Sequence, residues 1–524
     1  MSTFTGALAS PHALATEAGM AAFAAGGNAI DAAISAAAVL TVVYPHNVAL
    51  GGDLVALVRT PDGTVHCVNA SGWSGAAANV ERMRSRHGVS LPPRSADSVT
   101  VPGGVRGWAA LRGLGSRVTW AQTLAPAQRV AEEGVAVSKS LAHHLADPEN
   151  ADLVASEDFC RVFRPDGRML TVGDTLVQPA LAATLAALRQ RGPDTFYAGA
   201  LAESMLAHLN RHGSCLTAAD FEEFAPEFTE PLSAPFGDLT VLTSPPNTQG
   251  FLMLRALRAI EELHVSDPLG GDIGTLMRIF HHGNELRRRR LADPRQREVD
   301  MAELINGGLH EVTELGQPSG PVLVPHGDTV GVAAADSDGC AVSLIQSVYH
   351  AFGSGLIDPE TGVLFHNRGT SFSLDADSPN VIAPRKRPAH TLMPVLTTHD
   401  GAVRHVLATM GGQGQPQILT QVLLHAVVGR SARAAVCAPR AIVGGQVDGL
   451  TADSVAVEAD LDAPSRESLH ASGLGVVEVP IHTEAMGQAN AVFVDGDAMQ
   501  AASDPRSDGA GMVAYYPRGP LSDG

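Results

Sequence analysis

Apolar positions along this chain change period several times, and each change marks an element. From Ala13 to Tyr44 small apolar residues recur with helical spacing, interrupted at Gly26-Gly27-Asn28. Gly-Gly suits the end of one helix, and Asn28 can cap the next. "LGGDLVALVRTPDGTVHCVNAS" reads as a hairpin turning at Asp62-Gly63. Residues 105–215 are mostly Ala/Leu-rich helical stretches with short connections. "GDLTVLTSPPN" predicts a strand and "GFLMLRALRAIEEL" the helix after it. Residues 310–328 are rich in Gly and Pro and predict a loop.

From Thr329 the character changes to strands. "TVGVAAAD" and "CAVSLIQSVY" flank an Asp-Ser-Asp-Gly turn, and a second hairpin turns at Asp400-Gly401. That hairpin runs into "GGQGQ", and a helix "PQILTQVLLHAVV" follows. Strands with helices on both faces predict a layered α/β architecture.

Composition narrows the function. Hydrophobic residues make up 45% of 524, enough for a sizeable core. A formal charge of −19 argues against a nucleic-acid partner, which needs a basic surface. Lys139 and Lys386 are the only lysines, so Schiff-base chemistry has almost no candidate. Five scattered cysteines without CxxC or metal spacing read as reduced thiols. "MSTFTGALASPHAL" has neither a charged nor an apolar leader region, and "AIDAAISAAAVLTVVYPH" is too short to span a bilayer and contains Asp31. These features predict a soluble, cytoplasmic protein. No metal site and no cofactor is expected. His281-His282 beside "ELRRRR" reads as the solvated face of a helix, and "GWSG" lacks the spacing of a nucleophile elbow.

One segment asks for chemistry. "GDTVGVAAADSDG" (327–339) puts Asp328 and Thr329 at the mouth of a strand, after the proline-flanked "GQPSGPVLVPH". A polar turn feeding a strand would suffice. Alternatively the backbone is cut there and Thr329 becomes an amino terminus. A freed α-amine, with a pKa of about 7.7–8.0, is partly neutral near pH 7 and can deprotonate the threonine's own hydroxyl. Nucleophile and base would then belong to one residue, and no histidine or aspartate partner is needed. "MGGQG" supplies a second element, a Gly-rich turn between strand and helix where backbone N–H groups converge.

The motifs together resemble the gamma-glutamyltranspeptidase family of amino-terminal-nucleophile hydrolases, nearly end to end. They run from "GGNAIDAA" (26–33), "PHNVALGGD" (45–53) and "VPGGVRGW" (101–108) through "PPNTQG" (245–250) and "ADP" (292–294). They continue in "GDTVGVAAADSDGCAVSLIQS", "FGSG" (352–355), "RKRPAHTLMP" (385–394) and "MGGQGQPQ" (410–417). The resemblance implies an αββα sandwich and self-cleavage between Asp328 and Thr329. The products would be a large piece, 1–328, and a small piece, 329–524, held in one integrated domain, with a homodimer possible. It implies Thr329 as nucleophile, Gly411 and Gly412 as the oxyanion hole, and Ser347 as a hydroxyl supporting the nucleophile.

The substrate pocket departs from the pattern. Family members that process glutathione hold the glutamyl carboxylate with an arginine near the first hairpin. Residues 69–79 contain none, and Ser71 or a neighbour takes its place. Tyr349 stands where an Asn is expected, Arg368 and Ser371 where Gln and Asp are, and His390 and Thr391 in place of paired serines. Asn367 and Arg368 belong to an "NRG" motif shared with a subgroup that hydrolyses oxamate-like amides. Arg368 offers a planar carboxylate partner from a new direction, or else lies at the surface. His390 either meets substrate or bonds locally. The leading expectation is a self-processing threonine hydrolase or acyltransferase acting on an amide of a small carboxylate-bearing molecule. Its rivals are a hydrolase of oxamate-like or α-keto substrates, with C–C cleavage included, and a non-catalytic metabolite-binding homologue.

Overall fold

The computed structural model describes residues 3–313, 328–445 and 450–517. One sheet comprises β1 (Thr3–Ser10), β2 (Asp53–Arg59), β3 (Val65–Ala70), β4 (Glu227–Thr229), β7 (Asp328–Asp336), β8 (Ala341–Tyr349) and β13 (Ala510–Pro517). Its order is β13-β1-β7-β8-β2-β3-β4. The second sheet comprises β5 (Leu232–Phe236), β6 (Leu239–Thr243), β9 (Val395–His399), β10 (Ala402–Met410), β11 (Gln488–Asp495) and β12 (Ala498–Ser503), in the order β12-β11-β10-β9-β6-β5.

The sheets pack face to face through Val55, Leu57, Ala333, Ala335, Ile345, Leu396, Val406 and Ala408. Helices α1 (Ala13–Ala24), α2 (Ala29–Val43) and α3 (Trp120–Glu133) cover the outside of the first sheet. Helices α4 (Phe251–Glu262), α5 (Ile273–Arg290) and α6 (Gln415–Val427) cover the outside of the second. The result is the expected αββα sandwich. Every residue of α2 is buried, which fits a helix that is apolar all round. Asn28 starts it with a reciprocal cap to Asp31, as the sequence predicts.

Strand parity places the chemistry. On β7, Val330, Val332 and Ala334 join the helix-side core, while Ala333 and Ala335 join the layer between the sheets. Thr329 and Gly331 share the parity of the second set, so they face β10. A Cβ on Gly331 would lie 2.6 Å from the Thr409 nitrogen. That close approach brings the start of β7 to the end of β10, just before Gly411.

Several elements went unread in the sequence: β1, the strands β11–β13, and a small sheet of Ala441–Val443, Ser454–Glu458 and Gly475–Val479. Most of the loop expected over 310–328 lies outside the described residues. "ELRRRR" needs correction. Arg288, Arg289 and Arg290 are exposed, but Arg287 is buried beside Gly283 and Asn284, the positions three and four residues back on α5. No helix among the described residues is long and apolar enough to cross a membrane.

Candidate active site

Thr329 is the second residue of β7 and is fully buried. The sequence puts it at the mouth of a strand, and in the continuous chain β7 already begins at Asp328, which pairs with Tyr349. The Thr329 hydroxyl donates to Ser347 Oγ at 3.1 Å. Ser347 in turn donates to the Asp328 carbonyl oxygen at 2.5 Å and accepts from the Tyr349 N–H at 2.7 Å. One hydroxyl therefore bridges Thr329 and the carbonyl group that precedes it. Asn47 Nδ2 donates to the Thr329 carbonyl at 3.3 Å. Burial would lower the pKa of His144, yet Asp328 and Glu484 lift it to about 9.

The register of β8 jumps between Gln346 and Tyr349, and Tyr349 has φ 81°, a left-handed backbone unusual for a large side chain. The Arg368 guanidinium lies over the Tyr349 ring, 3.6 Å from its centre. Arg368 is 1% exposed, which removes the surface alternative. It donates to Thr391 Oγ1 at 3.2 Å and approaches Ser371 Oγ at 3.5 Å. Burial pushes its pKa down to about 10, with Tyr349 and Asp53 opposing.

The other expected residues divide. His390 Nε2 lies 3.1 Å from Asp53 Oδ2, and its Nδ1 accepts from the Leu392 N–H, so Nε2 carries the proton. Burial, aided by the Arg368 charge, pushes the His390 pKa down to about 4. Burial would raise the Asp53 carboxyl, but His366 and His390 hold it well below its usual range. Asn367 donates to the Pro93 and Gly353 carbonyls and accepts from the His350 N–H, so its amide braces loops. Ser71 bonds Asn69 and Asn247 in a buried amide cluster. The structure thus brings Tyr349, Arg368, Ser371 and Thr391 together, with His390 on their Asp53 side.

Gly411 (φ 143°) and Gly412 (φ 49°) turn the chain from β10 into α6, as expected. Two residues absent from the sequence expectations grip this turn. Gln249 Nε2 donates to the Gly412 carbonyl at 2.8 Å and to the Thr391 carbonyl at 2.7 Å. Arg287 donates to Gln249 Oε1 and to the Gln413 carbonyl at 3.1 Å. Asn47, Asp53 and Gln249 all sit in motifs quoted above, which was the available signal. Among the described residues no cluster of His, Cys, Asp and Glu could hold a metal. A cavity of about 120 Å³ lined by Phe163, Val177, Leu181 and Leu364 includes none of these residues.

The gamma-glutamyltranspeptidase family model matches residues 15–514. The chain belongs to this family. It is a gamma-glutamyltransferase-like amide hydrolase of the amino-terminal-nucleophile type. The glutathione hydrolase-like YwrD proenzyme of Bacillus subtilis is 34% identical over 521 residues, covering 96% of this chain and 97% of that protein. The oxamate amidohydrolase proenzyme of Klebsiella pneumoniae is also 34% identical, over 526 residues, covering 96% and 98%. The crystal structure of cephalosporin acylase from Bacillus halodurans superposes with a TM-score of 0.88 at 31% identity, over 98% of this chain and 96% of that one. These similar proteins bear names with quite different substrates.

Proposed function

We infer that this gamma-glutamyltranspeptidase homologue cuts itself before Thr329 and then hydrolyses an amide of a small carboxylate-bearing substrate. The observation that carries the reading is the bridge from the Thr329 hydroxyl through Ser347 Oγ to the Asp328 carbonyl. In self-cleavage the Thr329 oxygen attacks the Asp328 carbonyl carbon, and Ser347 donates to the oxygen that gains negative charge. The Asp328–Thr329 C–N bond breaks as the proton lost by the hydroxyl reaches the departing nitrogen. Water then hydrolyses the resulting ester. Residues 1–328 and 329–524 separate as covalent units, with a free amine on Thr329.

In the mature enzyme that amine takes the hydroxyl proton, directly or through a water, as Thr329 attacks the substrate carbonyl. The backbone N–H groups of Gly411 and Gly412 receive the oxyanion, the amine product leaves with the proton, and water releases the acyl group. Arg368, buried and among the described residues bonded to no carboxylate, is the partner for the substrate's carboxylate, and Tyr349, Ser371 and Thr391 hold its plane. His390 borders it on the Asp53 side, and Ser71 stands further off, bonded to Asn69 and Asn247.

Denaturing electrophoresis tests the first step: two fragments are expected, with threonine at the new terminus, and one fragment for Thr329→Ala. An unaltered chain that stays whole would overturn the reading. A second reading narrows the substrate to oxamate or a close relative. It is supported by the Klebsiella relative's name and by the absence of arginine from residues 69–79. Turnover of oxamate without turnover of gamma-glutamyl-p-nitroanilide favours it, and the reverse result removes it.

A further inference from the structure

A glycine pair has no side chains to hold its backbone, so the Gly411-Gly412 turn keeps its shape only if outside groups fix its peptide planes. Three contacts do so. The Gly414 N–H donates to the Gly411 carbonyl at 2.7 Å. Gln249 holds the Gly412 carbonyl, and Arg287 holds the Gln413 carbonyl. Arg287 also donates to the Gln413 side chain and to Gln249 Oε1, so one guanidinium from α5 braces the turn both directly and through Gln249. In a trans peptide the N–H points opposite the C=O. Each carbonyl shares its plane with the next residue's N–H, so Arg287 on the Gln413 carbonyl orients the Gly414 N–H, which holds the Gly411 carbonyl and with it the direction of the Gly412 N–H.

No carboxylate bonds to Arg287 among the described residues, and burial pushes its pKa down to about 10. A buried cation without a carboxylate favours negative charge nearby.

We propose that Arg287 is a positioning residue for acyl transfer, holding the Gly411-Gly412 turn through Gln249 and Gln413 so that the Gly412 N–H meets the oxyanion. The proposal rests on the reading of Thr329 as the nucleophile. It concerns acyl transfer only, because in self-cleavage the Asp328 carbonyl is already met by Ser347.

The probe is p-nitrophenyl acetate, which needs no natural substrate. Thr329 Oγ attacks the acetyl carbon, its proton passes to the α-amine, and p-nitrophenolate leaves. Burst rate and mass of the small fragment report acetylation. Arg287→Met and Gln249→Met should still cut themselves into two fragments yet acetylate roughly 10- to 100-fold more slowly, a part of the ~10²–10³-fold lost with an oxyanion donor itself. With whichever of oxamate and gamma-glutamyl-p-nitroanilide the enzyme turns over, kcat should fall while KM stays within about 3-fold. Arg287→Lys should recover part of the rate. The double variant should lose little more than either single one, because both act on the same turn.

An unchanged acetylation rate in folded, cleaved Arg287→Met, or a loss confined to KM, overturns the proposal. Should Arg287→Met fail to fold, an unchanged rate in Gln249→Met overturns it equally. If peptide mapping of the cleaved, unaltered enzyme places the acetyl group on a residue other than Thr329, the nucleophile reading fails instead. The two failures are therefore distinguishable.

Discussion

Replacing Arg368 by methionine separates a substrate-binding arginine from a structural one, because the two roles predict different signs for stability and for binding. Burial, opposed by Tyr349 and Asp53, leaves the guanidinium pKa at about 10 against an ordinary 12.5, a net cost of roughly 3 kcal/mol to the charged form at neutral pH. Against that stand the ring contact with Tyr349, about 2 kcal/mol when desolvated, and the hydrogen bond to Thr391, about 1 kcal/mol. The 3.5 Å contact with Ser371 adds little. These contributions nearly cancel, so Arg368→Met should unfold in urea within about 1 kcal/mol of the unaltered protein. Loss of a buried pairing with a substrate carboxylate costs about 2–5 kcal/mol, a fall of roughly 30-fold or more in kcat/KM. The assay compares oxamate with oxamide, or a glutaryl anilide with its methyl ester, so that only the carboxylate differs. The fall should be confined to the charged member of each pair. Equal losses on both members, or a stability loss of several kcal/mol with binding intact, would refute the reasoning.

Three further outcomes follow from the geometry. Ser347→Ala removes the donor on the Asp328 carbonyl, and a hydrogen bond to developing charge contributes about 1.5–3 kcal/mol. Self-cleavage followed on a gel should slow by roughly 10- to 100-fold, and a normal rate would contradict the bridge. Gly331→Ala drives a methyl group into the β10 backbone at 2.6 Å and should destabilise by about 1–3 kcal/mol in urea, with kcat reduced as well. His390 has a folded pKa of about 4, below its ordinary 6.5, so between these values the unfolded chain takes up the proton that the folded one refuses. Its stabilising contribution is complete above pH 6.5 and falls by about 3 kcal/mol as pH drops to 4. His405 and His425, also near 4, act in the same direction. His390→Asn should flatten the dependence of urea midpoint on pH over that range, and an unchanged slope would count against the assignment.

Legibility in the sequence followed the physical signal available. Both long hairpins were readable because Asp-Gly turns separate runs of period two, and the strand beginning around Thr329 was readable because small apolar residues run into an Asp-Ser-Asp-Gly turn. β1 was not, since "TFTGALAS" is buried almost throughout and carries small residues on both faces, which leaves no alternation to detect. Arg368 lies in a short 3-10 turn without a helical or strand period, so its burial had no pattern to announce it. Arg287 was hidden by its three neighbours. Four consecutive arginines suggest a wet surface, whereas the 3.6-residue repeat puts Arg287 alone over Gly283 and Asn284. His390 and Ser71 show the converse: a departure from the family motif marks a changed position, but what each bonds to depends on strands far away in the chain.

The order of the larger sheet carries a consequence for the cut itself. β13, β7 and β8 would come from the fragment after the break, and β1, β2, β3 and β4 from the one before it, with β1 lying between β13 and β7. Like shuffled cards, the two polypeptides could not be drawn apart without tearing a ladder of hydrogen bonds on each side of that inserted strand. Severing one peptide bond would thus leave the particle whole in native buffer. Fragments parted in denaturant, each missing the other's strands, would have no template on which to rebuild it alone.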